Sequence, residues 1–176
     1  MSGRRRRSPA REGAAPDLPA AMEIAARYLA ARPRSRWELE RRLRRAGVSD
    51  ELLEVALLRL AELGYVDDES FTRWWAEQRD RHAPRGRRLL EAELRQRGVP
   101  REILEQLRAG DPPAPTDDDE LLPRTEAERA RAAIERHLRG RPLPDDPRAL
   151  QRLGAFLTRR GFDPETVRAA LRPADP

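Results

Sequence analysis

Arg44-Arg45-Ala46-Gly47-Val48 is written three times in this chain, returning as Arg95-Gln96-Arg97-Gly98-Val99 and as Thr158-Arg159-Arg160-Gly161-Phe162. Aligned on the glycine, the apolar residues fall into columns. Four residues before it stand Leu43, Leu94 and Leu157; eight before stand Leu39, Leu90 and Leu153; six after stand Leu53, Leu104 and Val167. Leucines four apart share one face of a helix, and a glycine just past them suits a C-terminal cap that needs positive φ. Each copy reads as helix, glycine turn, helix. The glycines lie 51 and 63 residues apart, so the copies are not periodic, but three columns shared by three copies mark internal duplication.

Upstream of each copy lies a further helical pattern. Ala21, Ile24, Ala25, Tyr28 and Leu29 make an amphipathic face. Pro33 ends that helix, and Ser35 with Glu38 forms a capping-box signature for the next. After Ser49, Leu53, Ala56, Leu57 and Leu60 turn inward. In the second copy Asp67 or Asp68 caps a helix opened by Phe71, Trp74, Trp75 and Gln78; in the third, Thr125 and Glu128 repeat the capping box, followed by Ala127, Ala130, Ile134 and Leu138. Asp146-Pro147 and Asp163-Pro164 read as a cap and first turn. Nine helices in three sets, with no strand, predict an all-α fold of three tandem three-helix repeats. Because a unit this small buries little surface alone, the repeats are expected to stack into an elongated, curved array.

The organisation follows: a basic tail over 1–18, expected to be disordered, repeats over 19–66 and 67–110, an acidic proline-rich linker over 111–122, and a third repeat over 123–172. The linker segment Asp111-Pro112-Pro113-Ala114-Pro115-Thr116-Asp117-Asp118-Asp119-Glu120 holds three prolines and five acids, a stiff and self-repelling composition.

The charge is unevenly placed. Arg4, Arg5, Arg6, Arg7 and Arg11 account for the whole formal charge of +5, which leaves residues 12–176 neutral. All 36 basic residues are arginine, so arginine abundance says little about arginine-specific recognition. Hydrophobic and charged residues are each 38% of the 176, a balance that suits thin helical layers with wide solvated faces. No apolar run reaches the roughly 20 residues of a membrane span, and the first residues do not form a secretory signal. A cytoplasmic protein without membrane association is expected.

Catalytic chemistry finds little to stand on. The chain has no cysteine, which removes thiolate nucleophiles, disulfides and cysteine-bound zinc. His82 and His137, the two histidines, sit late in different helices, where dipole and exposure account for them. Adjacent acids at 117–120 lack calcium-loop spacing, and there is no P-loop, dinucleotide turn or nucleophile elbow. No enzyme activity, cofactor or metal is expected. Trp74 and Trp75 point about 100° apart on a helix, so Trp74 is assigned to the repeat core and Trp75 to a neighbouring repeat. Trp37 is assigned to packing between units.

One resemblance then emerges. Arg34-Ser35-Arg36-Trp37-Glu38-Leu39, Leu43, Ala46-Gly47-Val48 and Leu63-Gly64-Tyr65-Val66-Asp67-Asp68-Glu69-Ser70-Phe71 are similar to the signature of the RecX family. Arg85-Gly86-Arg87-Arg88-Leu89-Leu90-Glu91-Ala92-Glu93-Leu94, ending Arg97-Gly98-Val99, continues it, while the third repeat matches more loosely. The resemblance implies a modular, non-catalytic protein that lies in the groove of the RecA filament on DNA and restrains its ATPase, strand-exchange and co-protease activities. A monomer is expected.

Arginine clusters are the candidates for partner contact: Arg41, Arg42 and Arg45; Arg79, Arg81, Arg85, Arg87 and Arg88; Arg95 and Arg97; Arg159 and Arg160. Weak direct DNA binding is assigned to Arg4, Arg5, Arg6, Arg7 and Arg11. Helix-end dipoles and ion pairs such as Glu91 with Arg95 offer a simpler reading of any single arginine. Two other functions compete. A helix-turn-helix DNA binder would use residues 38–60, but its recognition helix would begin Ser49-Asp50-Glu51, with acids facing phosphates. A helical adaptor between proteins would share the fold.

Overall fold

The computed structural model describes residues 15–109 and 125–172. Within them the chain forms α1 (Leu18–Leu29), α2 (Arg36–Arg45), α3 (Asp50–Glu62), α4 (Asp68–His82), α5 (Arg87–Arg95), α6 (Arg101–Ala109), α7 (Glu126–Leu138), α8 (Pro147–Arg159) and α9 (Pro164–Ala170). The described residues contain no strand. Three separate cores form, one for each successive set of three helices. The column residues Leu39, Leu43 and Leu53, Leu90, Leu94 and Leu104, and Leu153, Leu157 and Val167 are all buried in them. Residues 1–14 of the basic tail and the whole acidic linker lie outside the described residues; the last two residues of the expected tail are ordered, with Asp17 capping α1 and Leu18 opening it.

The three glycine turns share one hydrogen-bond pattern. Val48, Val99 and Phe162 donate their N–H groups to the carbonyls of Leu43, Leu94 and Leu157, and each preceding glycine N–H reaches Arg44, Arg95 or Thr158. This is the Schellman cap, which requires a left-handed residue and pairs an apolar residue after the turn with one inside the helix. The glycines have φ of 83°, 72° and 87°. The expected caps also form: Ser35 with Glu38 and Thr125 with Glu128 make capping boxes, and Asp67, Asp146 and Asp163 cap α4, α8 and α9.

The same joint links the repeats twice. At the first, the N-cap of α2 reaches the next glycine turn, with Ser35 Oγ–H donating to the Arg97 carbonyl at 2.6 Å. At the second, the N-cap of α5 does so through its backbone, Gly86 N–H donating to the Arg160 carbonyl at 2.9 Å. One residue on, the first helical N–H meets a carboxylate at the start of the next repeat: Arg36 N–H donates to Asp68 at 2.8 Å, and Arg87 N–H to Glu126 at 3.1 Å. The turn glycines close the fit. A Cβ on Gly98 would lie 2.4 Å from Trp37, and one on Gly161 would lie 2.5 Å from Leu89. Gly47, which docks on no earlier repeat among the described residues, has only Pro16 nearby, at 3.8 Å. In α8 the corresponding first position is Pro147, which has no N–H to offer.

Trp37 packs between units as expected, but the two adjacent tryptophans exchange roles. Trp75 is buried in its own repeat's core, whereas Trp74 is half-buried and carries Arg32 of the first repeat over its ring. The helical spacing fixed the angle between them, not which side faced the core. Glu91 is buried and accepts from Arg108 at 2.6 and 2.9 Å, in place of the pairing with Arg95 expected from their spacing. The α6 end supplies a partner that no local pattern reveals.

Candidate functional site

Arginines from all three repeats converge along one row. Trp75 is its floor: the guanidiniums of Arg79 and Arg97 lie 4.4 and 3.7 Å from ring centroids of that one indole. Such stacking holds a cation over the electron-rich face of the ring while leaving its in-plane donors available. Glu93, nearly buried, is the hub beneath. It accepts from Trp75 Nε1–H at 2.9 Å and Arg79 Nε–H at 2.8 Å, and it ion-pairs with Arg85. Arg97 donates to the Glu93 carbonyl at 3.0 Å, and Arg160 to the Pro84 carbonyl at 3.1 Å, with its own guanidinium over Phe156. At the other end Arg32 makes a two-pronged bond to Glu38, at 2.7 and 3.1 Å.

The cations are close enough to act on one another. Burial lowers the pKa of Arg85, and Arg79, Arg160 and Arg97 lower it further. Burial also lowers Arg97; Glu38 opposes this, and Arg32 and Arg79 add to it. The row therefore runs Arg32, Arg97, Arg79, Arg85, Arg160, crossing from the first repeat to the third.

Of the arginines singled out from the sequence, the structure gathers Arg79, Arg85, Arg97 and Arg160. Arg41, Arg42 and Arg45 are exposed on α2, with Arg41 lying over Trp37. Arg81, Arg88, Arg95 and Arg159 are exposed elsewhere. Arg87 is a clamp: its side chain donates to the Arg108 carbonyl at the end of α6 and pairs with Glu126 in α7, so the two ends of the described chain around residue 117 meet at one side chain. Arg4, Arg5, Arg6, Arg7 and Arg11 lie outside the described residues. Sequence reading missed Arg32, whose loop position gives no periodic signal, and the buried acids Glu93 and Asp80.

Asp80 belongs to the second joint. Both its oxygens accept from Arg129 Nε–H, at 2.9 and 3.0 Å, and Arg136 donates to its carbonyl. Burial pushes its pKa up to about 6 against the pull of Arg129. Among the described residues no group of histidines and acids could hold a metal ion, and no helix is long and apolar enough to cross a membrane. His82 and His137 are exposed, the latter against Phe156. Two acids of the supposed recognition helix α3 are paired with α2 cations, Asp50 with Arg44 and Glu54 with Arg36.

Comparison with known proteins places the whole array. Three family models match: the first three-helix domain of RecX over residues 21–60, the second over 67–107 and the third over 125–171. The chain is 36% identical to the regulatory protein RecX of Mycobacterium avium (strain 104), over 81% of this chain and 77% of that protein. It is 35% identical to the regulatory protein RecX of Chlorobaculum tepidum over 86% of each. The crystal structure of RecX from Lactobacillus salivarius superposes with a TM-score of 0.68 at 16% identity, covering 88% of this chain and 94% of that one.

Proposed function

We propose a function from one premise: the chain belongs to the RecX family. It is a non-catalytic, cytoplasmic regulator that binds the RecA filament on DNA as a monomer and inhibits its ATPase, strand-exchange and co-protease activities. It uses no cofactor. The observation that carries the reading is the match of all three repeats to the family, with relatives named as regulatory proteins spanning most of the chain. An array of repeats joined end to end suits an extended partner, and the row of arginines across the repeats supplies the contact surface. The basic tail adds weak attraction to bare DNA by counterion release. The alternative of a helix-turn-helix reader is disfavoured by the acids at the start of α3, which would meet phosphates.

Co-sedimentation tests this directly. RecA filaments assembled on single-stranded DNA with a slowly hydrolysed ATP analogue should carry the protein into the pellet, and the same DNA without RecA should carry much less. Equal recovery with bare DNA would replace the filament by DNA as the partner.

A further inference from the structure

Five guanidiniums gathered into one row are a costly arrangement. Among the described residues, Glu38 and Glu93 pair with members of the row, two carboxylates beside five cations. Arg97 and Arg160 hold backbone carbonyls, which compensate a full charge less well than a carboxylate does. The Nε of Arg97 is buried and makes no hydrogen bond. Like charges packed side by side repel, and an anion laid along them removes that repulsion.

We propose that this row, Arg32, Arg97, Arg79, Arg85 and Arg160, is a binding site for an acidic segment of a protein partner, an extended stretch presenting several carboxylates. The proposal rests on the regulator reading only in taking the partner to be a protein. Two observations favour carboxylates over a nucleic-acid strand. The aromatic faces that would stack bases are already occupied: Trp75 carries Arg79 and Arg97, Trp74 carries Arg32, and Phe156 carries Arg160. The row is recessed, with Arg32, Arg79 and Arg85 side chains only 26 to 28% exposed, so a short side chain reaches it more readily than a phosphate held in a thick, hydrated backbone.

The guanidinium stacks explain how the site is held ready. A ring beneath Arg32, Arg79, Arg97 and Arg160 fixes the plane of each donor fork, so less side-chain freedom is lost when a carboxylate arrives. Glu93 holds Arg79 and Arg85 apart at its two oxygens, with Trp75 Nε1–H steadying it. It is a positioning residue for the row.

The test uses the full chain and the fluorescence of its tryptophans, two of which lie under the row. One probe is an octapeptide of alternating aspartate and glutamate; the other is a thymidine octanucleotide of comparable charge. The peptide should quench or shift the emission saturably, and the oligonucleotide should bind more weakly. Arg85→Gln should weaken peptide binding roughly tenfold, as expected for one charge-assisted hydrogen bond, and Arg97→Gln should do the same if the first variant is poorly folded by circular dichroism. Arg88→Gln, exposed and outside the row, should bind as the parent does. Tighter binding of the oligonucleotide would overturn the choice of ligand, and absence of saturable peptide binding would overturn the site. Neither result bears on whether RecA filaments retain the protein, so failure of the site and of the regulator reading are told apart.

Discussion

The two joints between repeats use the same backbone geometry and different side chains. In both, an N-cap reaches the carbonyl before a turn glycine, and the next N–H meets an acid at the start of the following repeat. At the first joint the filling is aromatic, with Trp37 against Gly98. At the second it is ionic, with Asp80 and Arg129 buried against each other and Arg87 paired with Glu126. A duplicated unit thus keeps the same main-chain groups in its docking frame, the carbonyl before the turn glycine and the first helical N–H, while side chains set how each joint responds to its surroundings. The second joint should be the more sensitive to loss of a charge and to pH.

The largest expected effect comes from the buried pair. Asp80→Ala leaves Arg129, only 16% exposed, without its carboxylate, and should cost about 3–5 kcal/mol. Urea denaturation measures the loss, and a cost under 1 kcal/mol would mean that Arg129 finds solvent easily and the joint is not ionic in character.

Next comes close approach. A Cβ at Gly86 would fall 2.2 Å from the Phe162 nitrogen and 2.3 Å from the Gly161 carbonyl group, all backbone that cannot swing aside. Gly86→Ala should cost about 2–3 kcal/mol and expose the third repeat to limited proteolysis. Position 35, its counterpart at the first joint, already carries a side chain. Ser35→Ala removes its hydrogen bond to the Arg97 carbonyl and its cap on α2, for about 1–2 kcal/mol. Equal costs at the two positions would erase the distinction between the joints.

The smallest effect is the most diagnostic. With a pKa of about 6 against 3.8, folded Asp80 binds its proton more readily than the unfolded chain does. Its contribution to stability therefore falls as pH rises from 3.8 to 6, and recovers on acidification. The stability of the parent relative to Asp80→Asn should increase by about 1 kcal/mol from pH 7 to pH 5. The first joint has a weaker counterpart in Asp68, which burial also raises. An opposite slope would show that Arg129 outweighs burial.

The frame of this molecule was legible in the sequence because it is local. Leu39, Leu43, Gly47 and Val48 sit within one helix and its cap, so their spacing alone shows the turn, and repetition at Leu90, Leu94, Gly98 and Val99 supports it. The RecX resemblance was legible for the same reason. The arginine row was legible only in part. Arg79, Arg85, Arg97 and Arg160 stood in visible clusters, but those clusters also held Arg41, Arg81, Arg88 and Arg95, which face away from it. What separates the two groups is Glu93 and Trp75 at the centre and Arg32 from another repeat, contacts such as Arg79 with Glu93, 14 residues on, and Arg32 with Trp74, 42 residues on, that no local spacing encodes. Asp80 escaped notice for the same cause, since its partner Arg129 lies 49 residues on.

The central claim is that these jointed repeats act together on a RecA filament. Its most direct test is ATP hydrolysis by RecA on single-stranded DNA, titrated with the intact protein and with Gly86→Ala. The account predicts that the intact protein lowers hydrolysis saturably and that the variant, with its third repeat displaced, needs a higher concentration for the same effect. Hydrolysis unchanged at saturating, folded protein would contradict it.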